Sequence, residues 1–262
     1  MTRLLEDKNA IVYGAGGGIG GGVARTFARE GARVFLVGRT RQPLDAVAAA
    51  IKADGGAAEV AVLDALDERA VEEHVRAAVS KAGRVDVSFN LITRGDVQQI
   101  PLVDMTTADL LRAVTNGLTS NFITARAAAR HMIEQGSGVI LHLNSGSARG
   151  TMPMMGSTGP ADAATETFMR YLATEIGPHG VRVVGLYTAG VADTLTREKL
   201  AAVGGGGGID PADVERAIAG MAMLRRAPRL AQVADAAAFL ASDRAADITG
   251  TIVNVTCGLL PG

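Results

Sequence analysis

The chain has 262 residues, with 26 basic and 27 acidic side chains, one cysteine and 33 glycines. At 48% hydrophobic and 20% charged residues it can bury a full core, which excludes wholesale disorder. A net charge of −1 without a basic block offers no electrostatic surface for nucleic acid or acidic lipid. One cysteine excludes an internal disulfide, and the four histidines lack metal-ligand spacing, so we expect no metal.

The N-terminal residues 1–10 contain no apolar signal core, and no apolar run reaches the roughly 18 residues of a membrane-spanning helix. We therefore expect a cytoplasmic protein with no membrane partner. The length suits one large α/β domain, and we expect residues 1–262 to form it.

Short apolar runs alternate with longer helical patterns along the chain. The predicted strands are residues 10–13, 33–37, 59–63, 85–92, 138–143, 181–186 and 251–255. The predicted helices are residues 19–30, 43–54, 68–82, 161–176, 194–203 and 211–223. Residues 107–135 predict two more helices, broken near Asn116 and Gly117. Strands separated by helices need right-handed crossovers, so we expect a doubly wound parallel sheet of about seven strands with helices on both faces.

A glycine-rich turn follows the first predicted strand and precedes a helix. Its sequence is Gly14-Ala15-Gly16-Gly17-Gly18-Ile19-Gly20. Glycines let a backbone approach a pyrophosphate, and a helix N-terminus offers free N–H groups and a positive dipole end. The spacing departs from the G-x-G-x-x-G form, but the strand–turn–helix context favours dinucleotide binding over a purely structural turn.

The end of the second predicted strand indicates which dinucleotide is bound. A carboxylate there would hydrogen-bond the ribose hydroxyls of NAD, but the strand runs into Arg39 and Arg41 instead. Guanidinium groups suit a 2′-phosphate, so we favour NADP over NAD, with NAD left open. The alternative is that both arginines are solvated surface residues.

The order of these motifs resembles the short-chain dehydrogenase/reductase family over nearly the whole chain. The resemblance rests on residues 14–20, Leu63-Asp64, residues 86–90, residues 177–183, residues 190–194 and residues 248–255. It implies a Rossmann-type fold and an oxidoreductase that acts on a carbonyl/alcohol pair. Together, the glycine turn, the end of the second strand and this resemblance predict nine residues that contact the cofactor: Gly14, Gly18, Ile19, Gly20, Arg39, Asp64, Ala65, Asn90 and Val191.

Family chemistry needs a serine, a tyrosine, a lysine four residues after the tyrosine, and an asparagine. The resemblance implies that the tyrosine moves a proton while hydride moves to or from the nicotinamide. The serine position falls on Ser145, the tyrosine position on Thr158 and the lysine position on Asp162. The asparagine position falls on Gly117, or on the adjacent Asn116 if the helix carries a one-residue shift.

The tyrosine–lysine pair is missing under any alignment. The three tyrosines, Tyr13, Tyr171 and Tyr187, have no lysine four residues later, and no lysine lies between Lys81 and Lys199. A threonine hydroxyl is a much poorer acid than a phenol. An aspartate at the lysine position reverses the local charge, although its oxygens could still accept hydrogen bonds from ribose. We therefore expect the standard proton relay to be absent.

Other side chains are candidates for the lost proton donor. Ser147 shares the end of the fifth predicted strand with Ser145, and Tyr187 ends the sixth. Packing is at least as good an explanation for Tyr187. His142 lies inside the fifth predicted strand, where a satisfied core histidine is the better prediction.

Three functional hypotheses remain. The first is an NADP-dependent oxidoreductase with a non-standard proton source. The second is a pseudoenzyme that binds a nucleotide or small ligand. The third is a lyase, isomerase or cyclase that uses the same cleft. Fold does not choose among them.

The resemblance also implies a homotetramer or homodimer, with a small molecule as the other partner. It places a substrate lid over residues 193–225, where the five glycines of residues 204–208 would act as a hinge.

Overall fold

A computed structural model describes residues 3–150, 152–204 and 208–260. Its strands are β1 (Asn9–Tyr13), β2 (Arg33–Gly38), β3 (Ala57–Val62), β4 (Val87–Asn90), β5 (Gly138–Asn144), β6 (Val181–Tyr187) and β7 (Thr251–Asn254). Its helices are α1 (Gly18–Arg29), α2 (Arg41–Ala53), α3 (Glu68–Ala82), α4 (Thr107–Gln135), α5 (Thr158–Ile176), α6 (Arg197–Val203), α7 (Pro211–Met221) and α8 (Leu230–Ala241). Residues 205–207 of the predicted hinge lie outside the described residues.

The strands form one sheet in the order β3-β2-β1-β4-β5-β6-β7, and every pairing is parallel. This confirms the doubly wound, Rossmann-type α/β fold. The strand order reverses between β1 and β4, and ligands of such sheets bind beyond the carboxyl ends of the strands at that point. The glycine turn begins there, directly after β1.

The central strand β1 is buried over its whole length, because helices cover both faces of the sheet. Its alternate residues serve two separate cores. Val12 packs with Phe27 of α1 and Phe89 of β4 on one face, while Ile11 and Tyr13 pack with α3, α4 and α5 on the other.

Helix α4 runs unbroken from Thr107 to Gln135, so the predicted break near Asn116 and Gly117 is wrong. Position 117 lies in the helix interior, and a glycine suits it because a side chain from another segment approaches it closely. A Cβ built on Gly117 would lie 2.9 Å from Cδ of Arg94. The glycine therefore marks a close contact rather than a helix end.

Strand β4 is shorter than predicted and ends at Asn90. There the side-chain oxygen of Asn90 accepts a hydrogen bond from the backbone N–H of Ile92 at 3.1 Å, which turns the chain out of the sheet. Helix α8 has no counterpart among the predicted elements. Its sequence, LAQVADAAAFLA, packs Ala234, Ala237 and Leu240 into the core.

No described helix is long and apolar enough to cross a membrane. Among the described residues, no three histidine, cysteine, aspartate or glutamate side chains cluster closely enough to hold a metal ion.

Candidate functional site

The turn from β1 into α1 is a backbone cradle. Gly14 has φ +76°, and a Cβ there would lie 2.4 Å from the carbonyl oxygen of Leu91. A Cβ on Gly20 would lie 2.2 Å from the carbonyl oxygen of Gly14. Gly17 precedes the helix, and no side chain caps it. The turn therefore needs glycine for its shape and leaves the first N–H groups of α1 for a ligand.

A cavity of about 290 Å³ lies beside this turn. Its lining includes four of the nine residues predicted to contact the cofactor: Gly14, Arg39, Asp64 and Ala65. Leu91, Thr93 and Asn116 line it as well. The end of β1, the end of β2 and the loop after β3 thus bring these residues together around one space.

The other predicted contact residues lie outside this lining. Gly18, Ile19 and Gly20 are in the first turn of α1. Val191 is buried and precedes a short turn, residues 192–194. Asn90 is buried, and its amide group donates to Oγ1 of Thr124 at 3.3 Å. The side chain of Asn90 therefore holds the end of β4 in place.

The arginines after β2 differ in what they can reach. Arg39 lines the cavity, whereas Nη1 of Arg41 lies 3.8 Å from Asp45 one turn along α2. Asp64 accepts a hydrogen bond from the N–H of Leu66 at 3.0 Å. Of these two arginines, Arg39 is the one that lines the cavity, and residues 38–41 at the end of β2 include no carboxylate.

Asp162, at the lysine position, is completely buried and accepts hydrogen bonds from four protein donors. One oxygen accepts from Nη2 of Arg94 at 2.7 Å. The other accepts from Oγ of Ser145 at 2.7 Å, from the N–H of Ser145 at 3.1 Å and from the N–H of Ser147 at 3.0 Å. The protein itself thus occupies the acceptor capacity that ribose hydroxyls would need.

Arg94 was not identified from the sequence, yet it is central to this end of the cleft. It pairs with Asp96 at 2.9 Å and with Asp162 at 2.7 Å. Burial lowers the pKa of Arg94, but the charges of the two aspartates outweigh burial and raise it. Asn116 donates to the carbonyl oxygen of Arg94 at 3.1 Å, and Gly117 leaves room for its side chain.

Thr158, at the tyrosine position, is also buried, with 3% exposure. Its hydroxyl oxygen accepts a hydrogen bond from Nε2 of Gln98 at 3.0 Å. The loop that carries Gln98 is tied to the start of α5, since Ser157 donates its N–H to the carbonyl oxygen of Val97 at 3.2 Å. The loop of residues 94–99 therefore covers both Thr158 and Asp162.

The alternative proton donors are engaged as well. Oγ of Ser147 lies 2.7 Å from Oγ of Ser145. Tyr187 accepts from Nε of Arg149 at 3.0 Å, and burial followed by its contact with Glu166 raises its pKa. Burial lowers the pKa of His142 to about 4, and its Nδ1 has no partner within the described ranges, so this core histidine is not satisfied as predicted.

A family model described as enoyl-(acyl carrier protein) reductase matches residues 14–260. The chain is 33% identical to the short-chain reductase protein NovJ of Streptomyces niveus, over 98% of this chain and 95% of the relative. It is 31% identical to the (+)-cis,cis-nepetalactol synthase NEPS3 of Nepeta racemosa, over 99% of this chain and 94% of the relative. A solved 7α-hydroxysteroid dehydrogenase, complexed with NADH and 7-oxo glycochenodeoxycholic acid, superimposes with a TM-score of 0.86 at 31% identity. That match covers 98% of this chain and 96% of the dehydrogenase.

Proposed function

The chain belongs to the short-chain dehydrogenase/reductase family, and from this premise we propose that it binds NADP(H) in a cleft whose catalytic centre is non-standard. One observation carries the proposal. The tyrosine and lysine positions, Thr158 and Asp162, are buried and hydrogen-bonded to Gln98, Arg94 and the Ser145 region. Neither position presents a proton donor to a carbonyl oxygen.

The glycine cradle supports nucleotide binding. Gly14 and Gly20 admit no side chain, and the cavity beside them has room for an adenosine group between Arg39 and Asp64. The residues present therefore fit the adenosine and diphosphate half of a dinucleotide. Arg39 supports NADP over NAD, since its guanidinium can pair with a 2′-phosphate. When bound, the nicotinamide would supply or accept hydride; the chain's own residues bind and orient the nucleotide.

The chain remains nominally an oxidoreductase on a carbonyl/alcohol substrate, but the relay from tyrosine to lysine is lost. A non-redox reaction in the same cleft is the second candidate. The relative that is named a nepetalactol synthase supports it, since its name describes a synthase rather than a dehydrogenase. The third candidate is a pseudoenzyme, which would bind the nucleotide or another small ligand in this cleft without catalysing a reaction.

The test separates binding from turnover. Titration of the chain with NADPH, followed by nucleotide fluorescence, should give a saturable signal. A panel of aldehydes and ketones should then give no NADPH consumption above that of buffer. Absence of binding to all four nicotinamide dinucleotides would refute the proposal, and rapid NADPH oxidation with a carbonyl would show that another group supplies the proton in place of the missing tyrosine.

We also propose a cytoplasmic homo-oligomer, either a tetramer or a dimer, that contains a lid over residues 193–225. Helices α4 and α5 carry exposed aromatic side chains, Phe122 and Tyr171, on their outer faces. Phe122 packs edge-on against Phe168 of α5, with ring centroids 5.7 Å apart, so the two helices form one surface. Light scattering after gel filtration gives the mass of the assembly, and Tyr171→Glu should reduce it.

A further inference from the structure

A lysine from helix α6 lies against the start of α1. A Cβ built on Gly18, the first residue of α1, would lie 2.8 Å from Nζ of Lys199. We propose that Lys199 binds the diphosphate of the dinucleotide, and that this contact holds α6 closed over the bound cofactor. The inference rests on the proposed function, because it assigns a further residue to the same nucleotide.

The position of Lys199 is determined by contacts at both ends of α6. At the N-terminal end, the hydroxyl of Thr196 accepts a hydrogen bond from the N–H of Lys199 at 3.3 Å. Thr194 is buried, and its Cβ would lie 3.2 Å from a Cβ on Gly18. At the C-terminal end, the carbonyl oxygen of Val203 accepts from the N–H of Gln98. The helix is therefore tied to the cleft, and its lysine projects onto the turn.

The charges at this contact favour an anion. The N-terminus of α1 carries a positive partial charge, and the ammonium of Lys199 faces it. Burial lowers the pKa of Lys199, and no acidic side chain opposes that effect. On the same helix, Arg197 pairs with Asp210 at 3.0 Å, but Lys199 forms no ion pair within the described part of the chain.

A diphosphate matches this arrangement. Its oxygens accept from backbone N–H groups of the cradle on one side and from an ammonium on the other. A lysine suits this role because it acts as a compact point charge on a flexible stem. Without the anion, water alone solvates the exposed ammonium beside the helix terminus, so the nucleotide adds an attraction that the free protein lacks. Nucleotide binding therefore stabilises the closed position of α6.

The experiment uses Lys199→Met, which removes the charge and retains the length of the side chain. Lys52→Met is the matched control, because Lys52 is an exposed lysine near the end of α2. All four nicotinamide dinucleotides are titrated by calorimetry, since they share the diphosphate. Adenosine 2′-monophosphate, which has no 5′-phosphate, is measured by competition against NADPH fluorescence.

We expect Lys199→Met to weaken the binding of NADP+ about tenfold, which corresponds to about 1.4 kcal/mol of binding free energy. The affinity for adenosine 2′-monophosphate should stay within about twofold of the wild type, and Lys52→Met should change neither ligand. Added salt should reduce the difference in NADP+ affinity between the wild type and Lys199→Met, because salt screens the attraction between the ammonium and the diphosphate. The assignment would be overturned if the wild type and Lys199→Met bound NADP+ with equal affinity. It would also be overturned if Lys199→Met lost the same affinity for adenosine 2′-monophosphate as for NADP+. Failure of the wild type to bind any dinucleotide would instead refute the proposed function.

Discussion

Arg94, in the loop of residues 94–99, forms an ion pair of 2.7 Å with the buried Asp162, which the resemblance aligns with the family's catalytic lysine. An aspartate carries the opposite charge to a lysine at that position. The guanidinium of Arg94, from a different segment of the chain, supplies a positive charge beside it. Gly117, one of the two candidates for the family's asparagine position, makes room for the arginine side chain. The residues at positions 117 and 162 are therefore coupled in the structure through Arg94.

This linkage predicts that Thr158→Tyr combined with Asp162→Lys does not restore reductase activity. The new ammonium would lie against the guanidinium of Arg94, which also loses its buried partner. We expect the double variant to be inactive in an NADPH-consumption assay and to unfold at a lower urea concentration than the wild type. Adding Arg94→Ala should recover much of that stability and permit carbonyl reduction. Activity of the double variant alone would show that Arg94 does not block the site.

The same ion pair predicts a large difference between two aspartate substitutions. Asp162→Ala leaves Arg94 partly unpaired in a buried position and should cost about 3–5 kcal/mol of unfolding free energy. Asp235→Ala removes the partner of Arg29 in an exposed pair and should cost less than about 1 kcal/mol. Chemical denaturation of both variants measures these values. Similar losses in the two would contradict the structural role of Asp162.

The sequence predicted the parts of the molecule that depend on local patterns. Apolar runs identified the strands, and the glycines after β1 identified the cradle. The roles of Arg94 and Gln98 were not predicted, because both depend on partners that are distant in the sequence. Asp162 lies 68 residues after Arg94, and Thr158 lies 60 residues after Gln98. Nothing in the local sequence marks an arginine as buried. An aspartate at a lysine position was the available signal, since a buried carboxylate needs a cation.

Two features were missed because glycine and alanine carry ambiguous information. Gly117 looked like a helix break, but its missing side chain serves a contact with Arg94. The alanine-rich α8 lacks the alternation of large apolar and polar residues that marks an amphipathic helix, because small side chains suffice for its close packing on α1.

Arg39 predicts the cofactor preference. It lines the cavity at the end of β2, where a 2′-phosphate would lie, so Arg39→Ala should lose a charge-assisted hydrogen bond of about 1.5–3 kcal/mol. Calorimetry should show NADP+ binding weakened by about 10- to 100-fold and NAD+ binding unchanged. Arg41→Ala is the control, since Arg41 lies beside Asp45 and should have a smaller effect. An equal loss for NADP+ and NAD+ would refute recognition of the 2′-phosphate by Arg39.

His142 predicts how stability depends on pH. Burial lowers its pKa in the folded chain from 6.5 to about 4, so the unfolded chain binds a proton in this range and the folded chain does not. The folded chain therefore has its full unfolding free energy, as far as His142 is concerned, above pH 6.5. That contribution is lost as the pH falls from 6.5 towards 4, because the unfolded chain then gains a proton that the folded chain does not. The loss should approach about 3 kcal/mol across that window.

Urea unfolding at several pH values between neutral and acidic tests this dependence on His142. His142→Leu should show a smaller fall in unfolding free energy with acidification than the wild type, whatever its stability at neutral pH. His179→Gln is the matched control, because His179 is exposed at the end of α5 and should retain the wild-type profile. If His142→Leu and the wild type fall in parallel, other groups cause the acid sensitivity and the buried imidazole contributes nothing to it.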